Sequence, residues 1–178
     1  MKELSVLLVI HNEEKQIESC IKTVLFADEI VVVLDKCNDN SHKIVKKYTN
    51  QIFSGDWDIE SERRNYGLDK CSGKWILEID ADERISEELG IEIQKKIKSI
   101  NYDWFNIRVN NYIGKNLVKF GWGAYIGKSA YAGLFRKGFK EWGRGRVHPK
   151  IYLKGEKGDA LDHPLDHFYC KNIYDLFV

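Results

Sequence analysis

The sequence lacks paired cysteines, a long hydrophobic run and a strong net charge, and each absence excludes a class of protein. Its four cysteines are widely spaced and form no Cys-x-x-Cys pair, which argues against a zinc ribbon or a disulfide scaffold and favours reduced thiols. A net charge of +1 provides no global electrostatic attraction to nucleic acid, so no nucleic-acid partner is expected.

Hydrophobic segments are short throughout the chain. No apolar run approaches the roughly 18 residues of a membrane-spanning helix, and no signal peptide precedes Leu4. We therefore expect a cytoplasmic protein. Lysines cluster near Lys95, and this segment is a candidate for peripheral contact with the inner face of a membrane.

The chain is long enough for one domain with a sizeable core. Its 178 residues are 43% hydrophobic and 31% charged, which is ordinary for a soluble globular protein. The pattern changes near Tyr102, so we expect one domain with two halves, residues 1–100 and residues 101–178.

The first half alternates strand-like and helix-like segments. Leu4 to Ile10 is nearly continuous in apolar and β-branched residues, which predicts a strand buried on both faces of a parallel sheet. Further strands are predicted over Glu29 to Leu34, Gln51 to Phe53 and Trp75 to Ile79. Four helices are predicted. The first carries Ile17, Cys20, Ile21, Val24 and Leu25 at helical spacing, and the second starts at a Ser41 cap. The third spans Ile59 to Asp69, and the fourth runs from Ser86 to about Ile100.

The second half has a different pattern. Phe105, Ile107 and Val109 alternate with polar residues, which is typical of a half-buried antiparallel strand. From Gly114 to Gly145 glycines and aromatic residues dominate, as in loops that line a cleft. Ile151 to Leu153 is a candidate for one more strand.

Three polar clusters follow three of the predicted strands. They are His11 to Glu14, Asp35 to Ser41 and Asp80 to Glu83. Each cluster alone is compatible with a helix start, a turn or a solvated loop. Parallel strands end at one edge of a sheet, where open α/β sheets bind ligands, so we expect the three clusters to converge in a binding site.

The expected convergence predicts a site for a nucleoside diphosphate and a divalent cation. Asp80-Ala81-Asp82 offers hard oxygen ligands, which suit Mg²⁺ or Mn²⁺ carrying phosphate. Asp82 is assigned to the metal and to catalysis, because the cation would stabilise the charge of a departing diphosphate. The residues assigned to the nucleotide are His11, Asn12, Glu14, Asp35, Arg64, Asp80 and Ala81.

Four motifs occur in a fixed order between residues 4 and 90. Ser5 to Glu14 is followed by Asp35-Lys36-Cys37-Asn38-Asp39-Asn40-Ser41, by Arg64-Asn65-Tyr66-Gly67-Leu68 with Ser72 to Ile76, and by Asp80-Ala81-Asp82-Glu83. In order and spacing they resemble the motifs of family 2 glycosyltransferases. Leu134-Phe135-Arg136, Val147-His148 and His167-Phe168-Tyr169 are similar to a later series in the lipopolysaccharide core β-glucosyltransferases.

The resemblance implies an α/β GT-A fold, which is a Rossmann-like, mostly parallel sheet flanked by helices, with a smaller mixed or antiparallel acceptor-side region. It also implies inverting transfer from a nucleotide-sugar donor, most often UDP-linked, to a saccharide or lipid-linked saccharide acceptor of the cell surface. Mn²⁺ or Mg²⁺ would be the cofactor, and His167 would complete its ligands. Relatives usually continue beyond Asn172 to Val178, so either this version of the protein is short or the helix that completes the acceptor site or a membrane contact is absent.

The general base is the least determined residue. Relatives commonly have Val-His-Glu where this chain has Val147-His148-Pro149. We assign His148 as the base because imidazole titrates near neutral pH. Glu141, Asp159 and Asp162 remain alternatives, and Trp122, Tyr125 and Trp142 are candidates for an acceptor platform.

Two other functions compete with glycosyl transfer. A nucleotidyltransferase normally needs a glycine-rich phosphate loop after the first strand, where this chain has His11 to Glu14. A sugar-nucleotide-binding domain without turnover is the second alternative, since the expected glutamate base is missing.

Overall fold

A computed structural model of the chain describes residues 2–118, 128–145 and 149–170. Its helices are α1 (Ile17–Lys22), α2 (Ser41–Val45), α3 (Glu60–Lys70) and α4 (Glu87–Lys96). Its strands are β1 (Leu4–Ile10), β2 (Glu29–Asp35), β3 (Ile52–Gly55), β4 (Trp75–Ile79), β5 (Glu83–Arg84), β6 (Trp104–Ile113), β7 (Asn116–Leu117), β8 (Ala130–Arg136), β9 (Lys140–Trp142), β10 (Ile151–Leu153) and β11 (Leu165–Cys170). No helix of the described residues has the length and hydrophobicity needed to cross a membrane.

The first half forms the parallel part of the sheet. Strands β3, β2, β1 and β4 lie side by side in that order, and each neighbouring pair is parallel. Strands β1 and β2 are apolar on both faces because helices cover both: α1, α2 and α4 pack on one side, and α3 packs on the other. The carboxyl ends of β1, β2 and β4 therefore share one edge, as predicted.

The second half continues the same sheet with mixed strand directions. Strand β8 inserts between β4 and β6 and is antiparallel to both. Strand β11 is parallel to β6 and antiparallel to β5, which is the short strand directly after the Asp80-x-Asp82 loop. Strands β9 and β10 form a separate antiparallel pair. The predicted α/β class, with a mostly parallel sheet in the first half and mixed strand directions in the second, is confirmed.

The loop prediction for Gly114 to Gly145 was wrong where β7, β8 and β9 lie, and residues 119–127 of that range lie outside the described residues. Gly133, one of the glycines behind that prediction, is in the middle of β8. A Cβ built there would be 2.8 Å from Ile107 Cδ1, so this glycine permits close strand packing and does not mark a turn.

Two helix boundaries also differ from the prediction. Helix α1 ends at Lys22, and Leu25 is 55% exposed although Val24 is buried. Asn40, not Ser41, is the N-cap of α2, without a side-chain cap hydrogen bond, and the Ser41 hydroxyl accepts a hydrogen bond from Glu13 N. Ser86 does cap α4, accepting from Leu89 N.

Candidate functional site

Hydrogen bonds join the loops that follow β1 and β2. Glu13 N donates to Ser41 Oγ and Glu14 N donates to Asp39 Oδ2, both at 2.9 Å. The Glu14 carboxylate accepts from the backbone and the side chain of Asn40. The Glu14 carboxylate therefore holds the loop after β2 in place through Asn40. The predicted convergence of these two clusters is present in the structure.

His11 and Asn12 are exposed on this double loop, and the Asp35 backbone lies beside them. His11 Nδ1 lies 2.7 Å from the carbonyl oxygen of Asp35, so the ring nitrogen is the donor. Asn12 has a positive φ of 53° and its Oδ1 accepts from Asn38 N. Amide side chains tolerate this left-handed backbone better than most residues.

The Asp35 carboxylate is buried and paired. Its Oδ1 accepts from Trp57 N at 3.0 Å, and its Oδ2 accepts from Arg63 Nη1 at 2.6 Å. Sequence reasoning missed Arg63, because two adjacent arginines near the start of a helix give no sign of which one turns toward the site. Lys36, beside Asp35, has a positive φ of 50°.

Arg64 and Asp80 lie at the centre of an alternating chain of charges. Arg64 donates to Glu60, Glu78 and Asp80 at 2.9–3.3 Å. Lys128 Nζ lies 3.0 Å from the other Asp80 oxygen. Burial by itself raises the pKa of Asp80, but the positive charges of Arg64 and Lys128 outweigh it and hold that pKa well below its usual range.

Asp82 faces His167, a residue from the other end of the chain. Asp82 Oδ2 lies 3.2 Å from His167 Nε2, and Asp82 Oδ1 is buried without a hydrogen-bond partner. His167 Nδ1 lies 2.8 Å from Asn111 Oδ1, which accepts the Nδ1 proton and directs Nε2 toward Asp82. Burial lowers the pKa of His167, and the hydrogen bond and charge of Asp82 raise it by more.

This pair fits a divalent cation. A carboxylate oxygen without a partner is a ligand type that Mg²⁺ and Mn²⁺ prefer, and Mg²⁺ is usually bound by one or two carboxylates together with phosphate and water. The imidazole nitrogen of His167 would be the second protein ligand. No group of three or more His, Cys, Asp or Glu side chains in the described residues is arranged to hold a metal ion. The protein would therefore supply two ligands from these residues.

Glu83 belongs to the site although the sequence assigned it no role. Its side chain is fully buried, and Oε2 accepts from Asp80 N at 2.9 Å and from Tyr131 OH at 2.8 Å. Burial and the Asp80 charge raise the pKa of Glu83 to about 7. The only sequence signal for Glu83 was its position in the run of carboxylates. Its burial could not be predicted, because it depends on the pairing of β5 with β11.

A cavity of about 240 Å³ adjoins Asp80 on the side of α3. Its walls include Tyr131, Lys140 and Trp142. The Trp142 indole donates to Glu78 at 3.1 Å and lies under the Arg64 guanidinium, 4.7 Å from the ring centroid. Trp142 is thus a fixed wall and not a free aromatic platform.

The remaining predicted residues are placed less centrally or not described. Ala81 is buried, and its carbonyl oxygen accepts from Arg84. Glu141, Asp159 and Asp162 are exposed, and Asp162 N donates to Glu92 on α4. His148, Trp122, Tyr125 and the segment from Asn172 to Val178 lie outside the described residues.

Comparisons with known proteins agree with this architecture. The family model for glycosyl transferase family 2 matches residues 5–119. An uncharacterized glycosyltransferase of Rickettsia typhi is 32% identical over 104 residues, which is 58% of this chain and 36% of that protein. The lipopolysaccharide core biosynthesis glycosyltransferase LpsC of Rhizobium meliloti is 24% identical over 185 residues, covering 93% of this chain and 63% of LpsC.

Solved structures show the same fold at low identity. S. aureus TarS 1–349, in complex with UDP-GlcNAc, aligns with a TM-score of 0.67 and 16% identity over 95% of this chain and 58% of TarS. Glucosyl-3-phosphoglycerate synthase from Mycobacterium tuberculosis, with Mn²⁺ and UDP-glucose, aligns with a TM-score of 0.50 and 19% identity over 62% of this chain and 44% of that chain.

The chain spans only about a third of the length of the Rickettsia relatives, 36% in Rickettsia typhi. The family model nevertheless covers more than half of the chain, and its span includes the loops after β1, β2 and β4. The chain therefore belongs to glycosyl transferase family 2, and it has the GT-A fold that its sequence predicts.

Proposed function

We propose that the domain transfers a sugar from a UDP-linked donor to a saccharide acceptor, with inversion at the anomeric carbon. The observation that carries the proposal is the Asp82 carboxylate, which has one oxygen 3.2 Å from His167 and the other buried without a partner. Such an oxygen is costly to bury unless a cation or a donor binds it. Structural neighbours crystallised with UDP-GlcNAc and UDP-glucose support a UDP-sugar donor.

The nucleoside would lie on the double loop of β1 and β2. His11, Asn12 and Asp35 offer hydrogen-bonding groups there, and Glu14 holds the loop in shape through Asn40. Arg63 and Trp57 fix the Asp35 carboxylate, so the nucleoside meets a preorganised surface. Preorganisation lowers the entropic cost of binding.

The diphosphate would lie between the double loop and Asp82. Mn²⁺ or Mg²⁺ held by Asp82 and His167 would neutralise the charge that develops on the leaving diphosphate. The structural neighbour that contains Mn²⁺ supports this choice of cation. Asp80, paired with Arg64 and Lys128, stays ionised at neutral pH and would position the ribose.

The transferred sugar would occupy the cavity beside Asp80. At about 240 Å³ it is smaller than pockets for drug-sized ligands, which start at about 300 Å³, and is therefore sized for one monosaccharide ring. Tyr131 and Trp142 provide apolar walls, while Asp80 and Lys128 provide polar groups.

The acceptor, the base and the location complete the proposal. The lipopolysaccharide core transferase LpsC supports a cell-surface saccharide as acceptor. His148 stays the predicted general base, in the segment between β9 and β10. The cytoplasmic location with peripheral contact near Lys95 likewise stays a prediction.

Calorimetric titration of UDP with and without Mn²⁺ tests the proposal. We expect Mn²⁺-dependent binding in the wild type and a loss of about tenfold or more, about 1.4 kcal/mol, in Asp82→Asn. Asp159→Asn, which changes an exposed carboxylate, is the matched control and should bind as the wild type does. Equal binding by both variants would refute the assignment of Asp82. Release of UDP from UDP-glucose then separates an enzyme from a binding domain.

A further inference from the structure

A second concave surface lies at the end of β11, apart from the cavity beside Asp80. The groove has a volume of about 820 Å³, which falls within the range of about 300–1,000 Å³ for ligand pockets. His11 and Asp35, the proposed nucleoside residues, are not among its lining residues. The described residues that line it are Gln16, Arg84, Gly114, Lys115, Phe168, Tyr169 and Cys170.

Arg84 presents a fixed positive charge to this groove. Its Nη1 donates to the carbonyl oxygens of Ala81 and Glu83, both at 2.7 Å, and its Nη2 donates to Gln16 O and Ser19 Oγ. All four acceptors are neutral oxygens, and Arg84 forms no ion pair with the described part of the chain. Four hydrogen bonds therefore hold the guanidinium in place, and no carboxylate of the described residues forms an ion pair with it.

The carboxylate closest to Arg84 by strand pairing is engaged elsewhere. Asp166 is the cross-strand partner of Arg84, but its Oδ1 accepts from Asn110 Nδ2 at 3.2 Å, and it also hydrogen-bonds to Tyr112. Lys115, on the turn between β6 and β7, is exposed and forms no ion pair with a described residue. Two cations and no carboxylate are found among the described lining residues, so the groove complements an anion.

The groove also adjoins the proposed metal pair. Tyr169 follows His167 by two residues, and the two rings meet edge to face with centroids 5.6 Å apart. Tyr169 is 45% exposed. Arg84 binds the carbonyl of Ala81, the residue between Asp80 and Asp82. A ligand in the groove would therefore lie beside the loop that carries Asp82.

We infer that this groove is an acceptor subsite and that it binds a saccharide bearing a phosphate or carboxylate group. Arg84 and Lys115 attract the anionic group, and the exposed Tyr169 ring contacts the apolar face of the sugar. The inference rests on the proposed function, because it names the acceptor of the same reaction. The anionic group of the acceptor is recognised by Arg84 and Lys115 in this groove and not by the metal ion at Asp82 and His167.

An NMR titration of the ¹⁵N-labelled protein tests the inference by reporting on the amides of Gly114, Lys115 and Tyr169. The probes are glucose 6-phosphate, galacturonate, methyl glucoside and inorganic phosphate. We expect both charged sugars to shift these amides and to bind at least about fivefold more tightly than methyl glucoside and inorganic phosphate. Lys115→Glu should weaken glucose 6-phosphate by a similar factor, and Tyr169→Ala should remove its advantage over inorganic phosphate. Lys98→Glu, the same charge change at an exposed site, should have no effect.

Each other result overturns a defined part of the account. Equal binding of inorganic phosphate and glucose 6-phosphate would identify a simple anion site and refute a saccharide subsite. Equal binding of methyl glucoside, or no shift with any probe, would refute the anionic acceptor. Titration of UDP with Mn²⁺ on the same variants separates the two proposals. If UDP binds but no probe shifts the groove amides, only this inference is refuted. If the wild type does not bind UDP, the proposed function is refuted.

Discussion

The two halves of the chain place their functional residues by different means. In residues 1–100, His11 and Asp80 directly follow β1 and β4 and Asp35 is the last residue of β2, and the parallel order of these strands brings the three residues to one edge. In residues 101–170, His167 reaches Asp82 only because β11 pairs with β5 and β6. The first half thus builds its share of the site from local sequence, and the second half builds its share from long-range strand pairing.

The difference has a consequence for stability. Glu78 on β4 bonds to Lys140 at 2.7 Å and to Trp142 at 3.1 Å, so a buried charge network joins the two halves. Asn65 on α3 also exchanges two hydrogen bonds with the Trp142 backbone. The two halves position their functional residues differently, but we expect them to unfold in a single transition.

The largest effect is expected from Glu78→Ala. The change leaves Lys140 buried without its carboxylate, and removing one partner of a buried ion pair costs about 3–5 kcal/mol. Urea unfolding is the measurement, with Glu3→Ala as the control. Glu3 pairs with Lys74 and both side chains are about half exposed, so the control should cost about 0–1 kcal/mol. Equal losses, or two separate transitions, would contradict a network that joins the halves.

A smaller effect is expected from Glu83→Gln, and it depends on pH. Burial and the charge of Asp80 raise the pKa of Glu83 from its ordinary value of 4.5 to about 7 in the folded protein. Between these values the folded state binds more protons than the unfolded state, so the wild type loses stability as pH rises from about 4.5 to 7. At 1.36 kcal/mol per pKa unit this loss is on the order of 3 kcal/mol.

Unfolding free energies measured in EDTA from pH 5 to 8 check this prediction. Glu83→Gln should flatten the fall with pH, because the amide does not ionise. The exposed Glu156→Gln serves as control and should keep the slope of the wild type. A Glu83→Gln slope that matches the wild type would show that Glu83 does not carry the proton.

The sequence predicted the first half well because its signals are local. The apolar runs of β1, β2 and β4 end where polar clusters begin, and parallel topology then determines which clusters meet. The Ser86 cap of α4 was likewise predicted from the residues next to it. The pairing of Arg63 with Asp35 could not be predicted, because it depends on how α3 packs on the sheet.

In the second half the sequence predicted β6 and β10, and it missed elements that are defined by distant partners. Strand β8 contains Gly133 and was taken for a loop, yet it lies between β4 and β6. His167 was assigned to the metal through family resemblance and not from its own surroundings. The burial of Glu83 follows from the two-residue strand β5, which is too short to give a sequence signal.

The most direct test of the account is the contribution of the second half to the metal site. Electron paramagnetic resonance can measure the affinity for Mn²⁺ in the presence of UDP for wild type, His167→Gln and His163→Gln. His163 is a matched control, since it lies nearby in the chain, is exposed and bonds to Glu92. We predict that His167→Gln weakens Mn²⁺ binding by about tenfold or more, while His163→Gln leaves it unchanged. Equal affinities in all three proteins would contradict the claim that β11 supplies a metal ligand.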